Sequence, residues 1–352
     1  MRYTTFGRTS GLRVSEYALG AGNFGTRWGT KAEPAEARRM FDRFAEAGGT
    51  FIDTANSYQF GQSEELLGEF LGADRDRFVL ATKFAGSTAP QPTVNTTGNG
   101  RRNMIATVEA SLRRLCTDHI DLLWVHHSDT VTPMEEILRG LDDLTRAGKI
   151  HHAGLSNFPA WRVSRGVTIA DLRGWSPITA VQFEYSLVER TGELDLLPMA
   201  EALGLGVALW SPLGGGLLTG KYRSSDEGRL TDWQARLVHT ESTAQKTAVV
   251  DAVLDIATET GASPAEVAVA WLRERSARST TPLVPITGPR DVGQLDSYLA
   301  ALDVQLSAAQ YDRLAEVSAA PLGVPHAVSE STRSGLLGGD ASVFLPPSVP
   351  VG

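Results

Sequence analysis

Cysteine is almost absent: Cys116 is the single thiol among 352 residues. One thiol excludes an internal disulfide framework and any cysteine-built metal centre. Cys116 follows Leu112 and Leu115 in an apolar helical pattern, so the thiol is expected to be buried and inert. Long apolar runs are missing too. None approaches the roughly 18 residues that a membrane-spanning helix needs. The first ten residues, MRYTTFGRTS, lack the apolar core of a secretory signal. No long basic cluster occurs, and the net charge is -8. That balance argues against nucleic-acid or membrane-surface binding and leaves a small molecule as the expected partner. The cytoplasm is the expected compartment. The oligomeric state stays open, with a homo-oligomer among the readings.

What is present is alternation. Short runs rich in Val, Ile, Leu and Phe fall at 17–20, 50–53, 78–82, 120–125, 152–155, 180–183, 206–210 and 283–286. Several are continuously apolar, as parallel strands covered on both faces must be. Between them lie amphipathic segments with helix signals. Pro34 opens the first, which Gly48 and Gly49 stop. Thr132-Pro133-Met134-Glu135 and Ser263-Pro264-Ala265-Glu266 read as capping boxes, and Ser63-Glu64-Glu65 suits the positive end of another helix. Eight strand-helix repeats favour a (β/α)8 TIM barrel over a doubly wound sheet. Residues 2–15 read as a β-hairpin turning at Thr9-Ser10-Gly11. No linker divides residues 1–320, which are expected to form one unit. The long Gly-rich and polar stretch 211–240 is expected to be functional. The tail 321–352, rich in Gly, Pro and Ser, is expected to be irregular.

In such a barrel the chemistry gathers at the C-terminal ends of the strands. The second strand ends at Asp53, with Tyr58 five residues on; the third runs into Lys83; the fourth runs into His126. Any one of these is more often a turn, packing or solvated residue. Together, on three consecutive strands, they form a set with a use. A phenol is a weak acid at neutral pH, and a neighbouring ammonium favours its phenolate. A carboxylate keeps that ammonium charged, and an imidazole can orient a carbonyl oxygen. His127 is adjacent to His126, and strand alternation lets only one of the two face the mouth. His151 and His152 start the fifth strand, at the other end, so no histidine metal site is expected. Asp53 with Asp121 or Asp129 could make a hydrolase, but Asp121 sits at the wrong end of its strand.

Gly20-Ala21-Gly22-Asn23-Phe24-Gly25 fits the dinucleotide pattern GxGxxG. The next helix opens only at Pro34, so the motif lacks the context a Rossmann site needs. A cofactor would use other strand ends: Ser156, Asn157, Gln182, and Trp210, whose indole could stack on a nicotinamide. Beyond them lie the loop Ser211-Pro212-Leu213-Gly214-Gly215-Gly216, Lys221, and Gly288-Pro289-Arg290 at a helix start, a natural phosphate site. A substrate pocket is expected near Phe24, Trp28, Phe60, Trp124 and His127.

From RYTTFGRTSGLRVSEYALG to about Leu314 the chain resembles the aldo-keto reductases. The matching motifs are FIDTANSYQFGQSEELLGEFL, FVLATK, IDLLWVHHSD, GKIHHAGLSNF, VQFEYSL, WSPLGGGLLTGKY and PITGPRDVGQL. The branch is similar to aryl-alcohol dehydrogenases and potassium-channel β subunits. The resemblance implies a barrel plugged by the N-terminal hairpin, NADP(H) as cofactor and no metal. It implies Tyr58 as general acid, tuned by Lys83 and Asp53, with His126 on the carbonyl. It places Ser156, Asn157 and Gln182 on the nicotinamide amide, and Ser211, Leu213, Gly215 and Lys221 on the pyrophosphate. Arg290 and Gln294 would meet the 2′-phosphate. Gly20, Ala21, Gly22, Pro212, Leu217 and Tyr298 complete the implied cofactor contacts. Three positions depart from the pattern: Ser297 and Tyr298 stand where many relatives carry Glu-Asn, and Ala21 where Thr is usual.

The resulting expectation is a carbonyl reductase for an aldehyde or ketone. A keto-sugar or secondary-metabolite ketone is a second substrate class. A slow-turnover NADP-binding regulatory subunit is the alternative from another functional class.

Overall fold

Side chains alternate along a strand, and here both faces are apolar. In 120–125, Leu122 and Trp124 join an inner cluster with Phe6, Phe51, Ala180, Ala208 and Val284. Ile120, Leu123 and Val125 join a larger outer cluster against the helices. Strands buried on both faces call for a parallel sheet wrapped by helices. The computed structural model describes residues 1–29, 31–224, 239–343, 345 and 347–350, and in it this sheet closes on itself.

A two-stranded hairpin comes first, β1 (Tyr3–Thr5) and β2 (Arg13–Ser15). The barrel strands are β3 (Ala18–Gly20), β4 (Phe51–Asp53), β5 (Val79–Phe84), β6 (Ile120–Val125), β7 (Ile150–Ser156), β8 (Ile178–Glu184), β9 (Gly206–Trp210) and β10 (Leu283–Thr287). They pair in parallel in chain order, and β10 bonds to both β9 and β3 to close the ring. This is the expected (β/α)8 barrel. Several strands run longer than their apolar runs, because polar residues such as Lys83, Ser156 and Glu184 extend the pairing to the mouth.

The hairpin closes the other end. Tyr3 pairs with Ser15 and Thr5 with Arg13. Phe6 and Val14 enter the barrel interior. The Phe6 ring meets Phe51 edge-on at 5.3 Å and Trp124 at 6.4 Å. Gly206 makes room for it: a Cβ there would come within 2.8 Å of the Phe6 ring. Arg8 then ties the hairpin to the Thr280 carbonyl at 3.1 Å.

Some local expectations give way. Cys116 is exposed: it lies past the helix Arg101–Arg114 at a φ of 50°, in a turn that buries Leu115 instead. Thr132 does not cap the helix Met134–Arg146; its hydroxyl donates to Asp129 at 2.6 Å. Ser63 does not cap either. It bonds Thr54 and the Ala21 carbonyl, tying its helix to the barrel. The box at Ser263 and Glu266 is formed. The tail holds an exposed helix, His326–Leu336, rather than irregular chain throughout. Residues 225–238 of the loop 211–240 lie outside the described residues, as do 344, 346, 351 and 352 of the tail. Among the described residues no helix is long and apolar enough to cross a membrane.

Phe6→Ala should lower unfolding stability by about 3–5 kcal/mol, as truncating a fully buried aromatic does. The midpoint of urea unfolding checks this; an unshifted midpoint would show that the hairpin does not seal the core.

Candidate active site

Parity aims the site. On β4, Phe51 and Asp53 face inward; on β5, Ala81 and Lys83 do the same. Asp53 pairs in register with Ala81, so Lys83 stands one inward layer nearer the mouth. Its side chain is 1% exposed. The ammonium bonds the Asp53 carboxylate and the Thr54 carbonyl, the latter at 2.8 Å. It also hydrogen-bonds the Tyr58 side chain and lies 4.8 Å from the centre of its ring. Burial works against this charge, yet Asp53 and Tyr58 outweigh burial and hold Lys83 above its ordinary value. The second Asp53 oxygen accepts from Gln182 on β8 at 2.9 Å. Asp53 is thus fully committed within the barrel. Asp121 is bound to Arg75 at 2.7 Å, and Asp129 to Thr132 and the Asn99 amide, so neither pairs with Asp53 as a hydrolase would need.

Tyr58 is held by a strained turn. The two residues after it, Gln59 and Phe60, have φ of 50° and 53°, a region costing side-chain-bearing residues about 1–2 kcal/mol each. The buried Gln59 side chain sustains the turn. Its Oε1 accepts from the Trp28 amide at 2.8 Å, and its Nε2 donates to the Trp28 carbonyl at 2.6 Å. The loop after β3 is thereby stitched to the loop after β4. Gly22 lies beside the Tyr58 ring, where a Cβ would sit 3.7 Å from a ring carbon.

His126 faces Tyr58 edge-on, ring centres 5.8 Å apart. Its pKa is driven well below the usual histidine value by burial, with Lys83 and His127 adding to the effect. The imidazole is therefore neutral at neutral pH. His127 stacks on His126 at 4.1 Å with 14° between the planes, and both line the cavity. The expectation that only one could face the mouth fails because β6 ends at Val125, so strand alternation stops before the pair.

Asn157 adopts φ of 55° just past β7 and joins three strands. Its Oδ1 accepts from the Trp210 indole at 3.1 Å; its Nδ2 lies 3.0 Å from the His126 carbonyl and 3.3 Å from His127 Nδ1.

These groups open on a cavity of about 570 Å³. Asp53, Tyr58 and His126 line it, with Lys83 enclosed behind them. Of the expected cofactor contacts, Gly20, Gly22, Asn157, Gln182, Trp210, Ser211, Pro212, Leu213, Gly215, Lys221, Gly288, Arg290, Gln294 and Tyr298 line it too. Ala21, Ser156 and Leu217 do not; all three are buried behind the lining. Ser156 instead supports Asn157, its Oγ 3.0 Å from Nδ2. Trp28, Phe60 and His127, expected in the substrate pocket, line the cavity as well. Phe24 and Trp124, also expected in the substrate pocket, lie outside it and are fully buried. Phe24 meets Phe70 edge-on in the outer core, and Trp124 lies in the barrel interior, one inward layer below the mouth. The helix after β10 is no bare phosphate site either. The Asp291 carboxylate accepts from the Gln294 amide at 2.8 Å, and Glu36 takes the Val292 amide at 2.8 Å. An anion there must rely on the Arg290 side chain.

Sequence reading missed Gln59 and Asn23. Asn23 donates to the Gly288 and Pro289 carbonyls at 3.1 and 3.0 Å, joining the first and last βα loops. Its only signal was its place in the rejected glycine motif.

The profile of the Aldo/keto reductase family matches residues 17–319. An uncharacterized oxidoreductase of Bacillus subtilis is 37% identical, over 87% of this chain and 92% of its own length. A Saccharomyces cerevisiae protein named "Putative aryl-alcohol dehydrogenase" is 32% identical, over 92% of this chain and 88% of its own. The norsolorinic acid reductase of Emericella nidulans is 35% identical, over 90% and 82% respectively. The chain belongs to the aldo/keto reductase family.

Because folding depresses the pKa of His126, the unfolded chain takes up a proton near pH 6.5 that the folded chain refuses. This contribution is intact above that pH and is lost as pH falls, by at most about 1.4 kcal/mol per pH unit. His126→Gln should flatten the decline in urea-unfolding stability between pH 6.5 and 5. An unchanged slope would mean that the folded imidazole protonates normally.

Proposed function

We propose that this member of the aldo/keto reductase family reduces an aldehyde or ketone to the alcohol with NADPH, Tyr58 giving the proton to the carbonyl oxygen. The reading rests on one observation: the buried Asp53–Lys83 pair meets Tyr58 at a cavity whose lining runs past Trp210 and the glycine loop to Arg290. When bound, NADPH supplies the hydride.

The lining fits such a dinucleotide. A cavity of about 570 Å³ lies within the usual range for cofactor sites. Trp210 offers an indole for the nicotinamide ring, beside the amides of Asn157 and Gln182. Ser211, Gly214, Gly215 and Gly216 all have positive φ, so the loop turns tightly and lays bare backbone against the pyrophosphate. Lys221 adds a charge nearby. Arg290 and Gln294 then read the 2′-phosphate, while Ser297, Tyr298 and Ala265 surround the adenine.

Each polar group has a task. His126, neutral, donates to the carbonyl oxygen and holds it against Tyr58. The Tyr58 hydroxyl passes its proton to that oxygen. The phenolate left behind is stabilised by the Lys83 ammonium, and Asp53 with Gln182 keeps that ammonium in place. The tilted pair Trp28 and Phe60, ring centres 6.5 Å apart, makes an aromatic wall of the cavity. That wall favours an aryl aldehyde or aryl ketone over a keto-sugar, in line with the name of the yeast relative. The cytoplasm suits the exposed thiol of Cys116.

Tyr58→Phe should cut NADPH-dependent reduction of a benzaldehyde panel by about 10²–10⁴-fold, the usual worth of a general acid, and leave NADPH affinity within a factor of two. Full activity in that variant would remove Tyr58 from the mechanism. Arg290→Ala should weaken NADPH by about 10–100-fold, the worth of a charged hydrogen bond, and barely change NADH. Equal losses for both would show that Arg290 does not read the 2′-phosphate.

A further inference from the structure

The end of the barrel away from the cavity carries a second cluster of histidines. His119 precedes β6, Asp121 is the second residue of β6, and His151 is the second residue of β7. The two imidazoles stack with ring centres 4.5 Å apart, and one donor atom from each of the three residues lies within 4.8 Å of the others. The Asp121 carboxylate is divided. Oδ2 accepts from Arg75 at 2.7 Å and from the Leu80 amide at 2.9 Å, while Oδ1 lies 3.7 Å from His151 Nδ1. His119 is braced from behind: its Nδ1 sits 2.7 Å from Asp118 Oδ1. A carboxylate on one imidazole nitrogen orients the ring and makes the other nitrogen the metal donor.

We propose that His119, Asp121 and His151 bind one divalent transition-metal ion, with zinc the best match. Two imidazoles and one carboxylate are a borderline donor set that suits zinc, whereas magnesium and calcium take oxygen ligands. Zinc holds such ligands at about 2.0–2.2 Å, so tetrahedral donors stand about 3.3–3.6 Å apart. The present triangle is wider, and the half-exposed His151 side chain would have to turn inward to close it. Among the described residues, Asp76, Glu109, Asp118 and Asp121 stand around the cluster against Arg75, Arg113 and Lys149, a balance that favours a cation. Solvent water completes the fourth position. The ion would brace the starts of β6 and β7 and take no part in the chemistry at the other mouth. The expectation of no histidine metal site holds for His126 and His127, at the opposite end from His151 and His152; the partner the fold supplies to His151 is His119.

The test is calorimetric titration of untagged, chelator-stripped full-length protein with zinc chloride at pH 7.5. One ion per chain should bind with a low-micromolar Kd. His119→Ala and His151→Ala should each weaken it at least 10-fold, and Asp118→Asn should weaken it by a similar factor, as loss of an orienting carboxylate does. Magnesium should give no heat of binding. Thermal melting of the zinc-free variants near the wild-type Tm establishes that they are folded. Wild-type affinity no better than millimolar, or wild-type affinity retained in both histidine variants, would overturn the site. So would loss of binding on His127→Ala, which would place the ion in the cavity instead. None of these readouts depends on turnover.

Discussion

A lysine ammonium with 1% exposure cannot survive inside a barrel unless a carboxylate meets it, and Asp53 meets Lys83 there. An unpaired charge at that depth would cost several kcal/mol. The pair therefore organises what surrounds it. Gln182 crosses the barrel to hold the other Asp53 oxygen, linking β8 to β4 and β5. The Thr54 carbonyl takes another ammonium hydrogen, which sets the start of the loop leading to Tyr58. The phenol is delivered to a charge that already has its place.

The two ends of the barrel are built for different work. Phe6, Phe51 and Trp124 fill the interior from the side where the strands begin, a dry aromatic seal laid down by the hairpin. At the other end the inward layer turns polar: Asp53, Lys83, Gln182 and Trp210. There the backbone also takes positive φ at Gln59, Phe60, Asn157 and Ser211. Such strain persists only where neighbours hold it. Gln59 is pinned through its side chain to Trp28, and Asn157 to Trp210 and His126. The stacked pair His126 and His127 stays neutral beside the lysine charge, which keeps hydrogen-bond donors rather than a second cation at the mouth.

Much of this was legible in the chain itself. Eight apolar runs separated by helix signals identify the barrel, because a strand covered on both faces leaves a continuous apolar trace. Parity and position at strand ends pick out Asp53, Lys83 and His126, and Tyr58 follows from them. The clamp by Gln59 and the link from Asn23 to Gly288 left no such trace. Each joins segments distant in sequence through one amide side chain, and composition does not record that.

Period and position, then, were decided by local chemistry: which residues alternate, where each strand stops, and which side chains stand at those stops. Packing in three dimensions decided the rest. It put Trp124 and Phe24 in the core rather than the pocket, since an aromatic ring goes where an apolar volume of its size exists, and only the assembled barrel creates that volume. It gave the amides of the last βα helix to Asp291 and Glu36, turned both histidines after β6 into the cavity, and brought His119 beside His151. Apart from the Asp291 cap, which is local, those outcomes turn on which segments meet in the assembled barrel, and no local pattern specifies that.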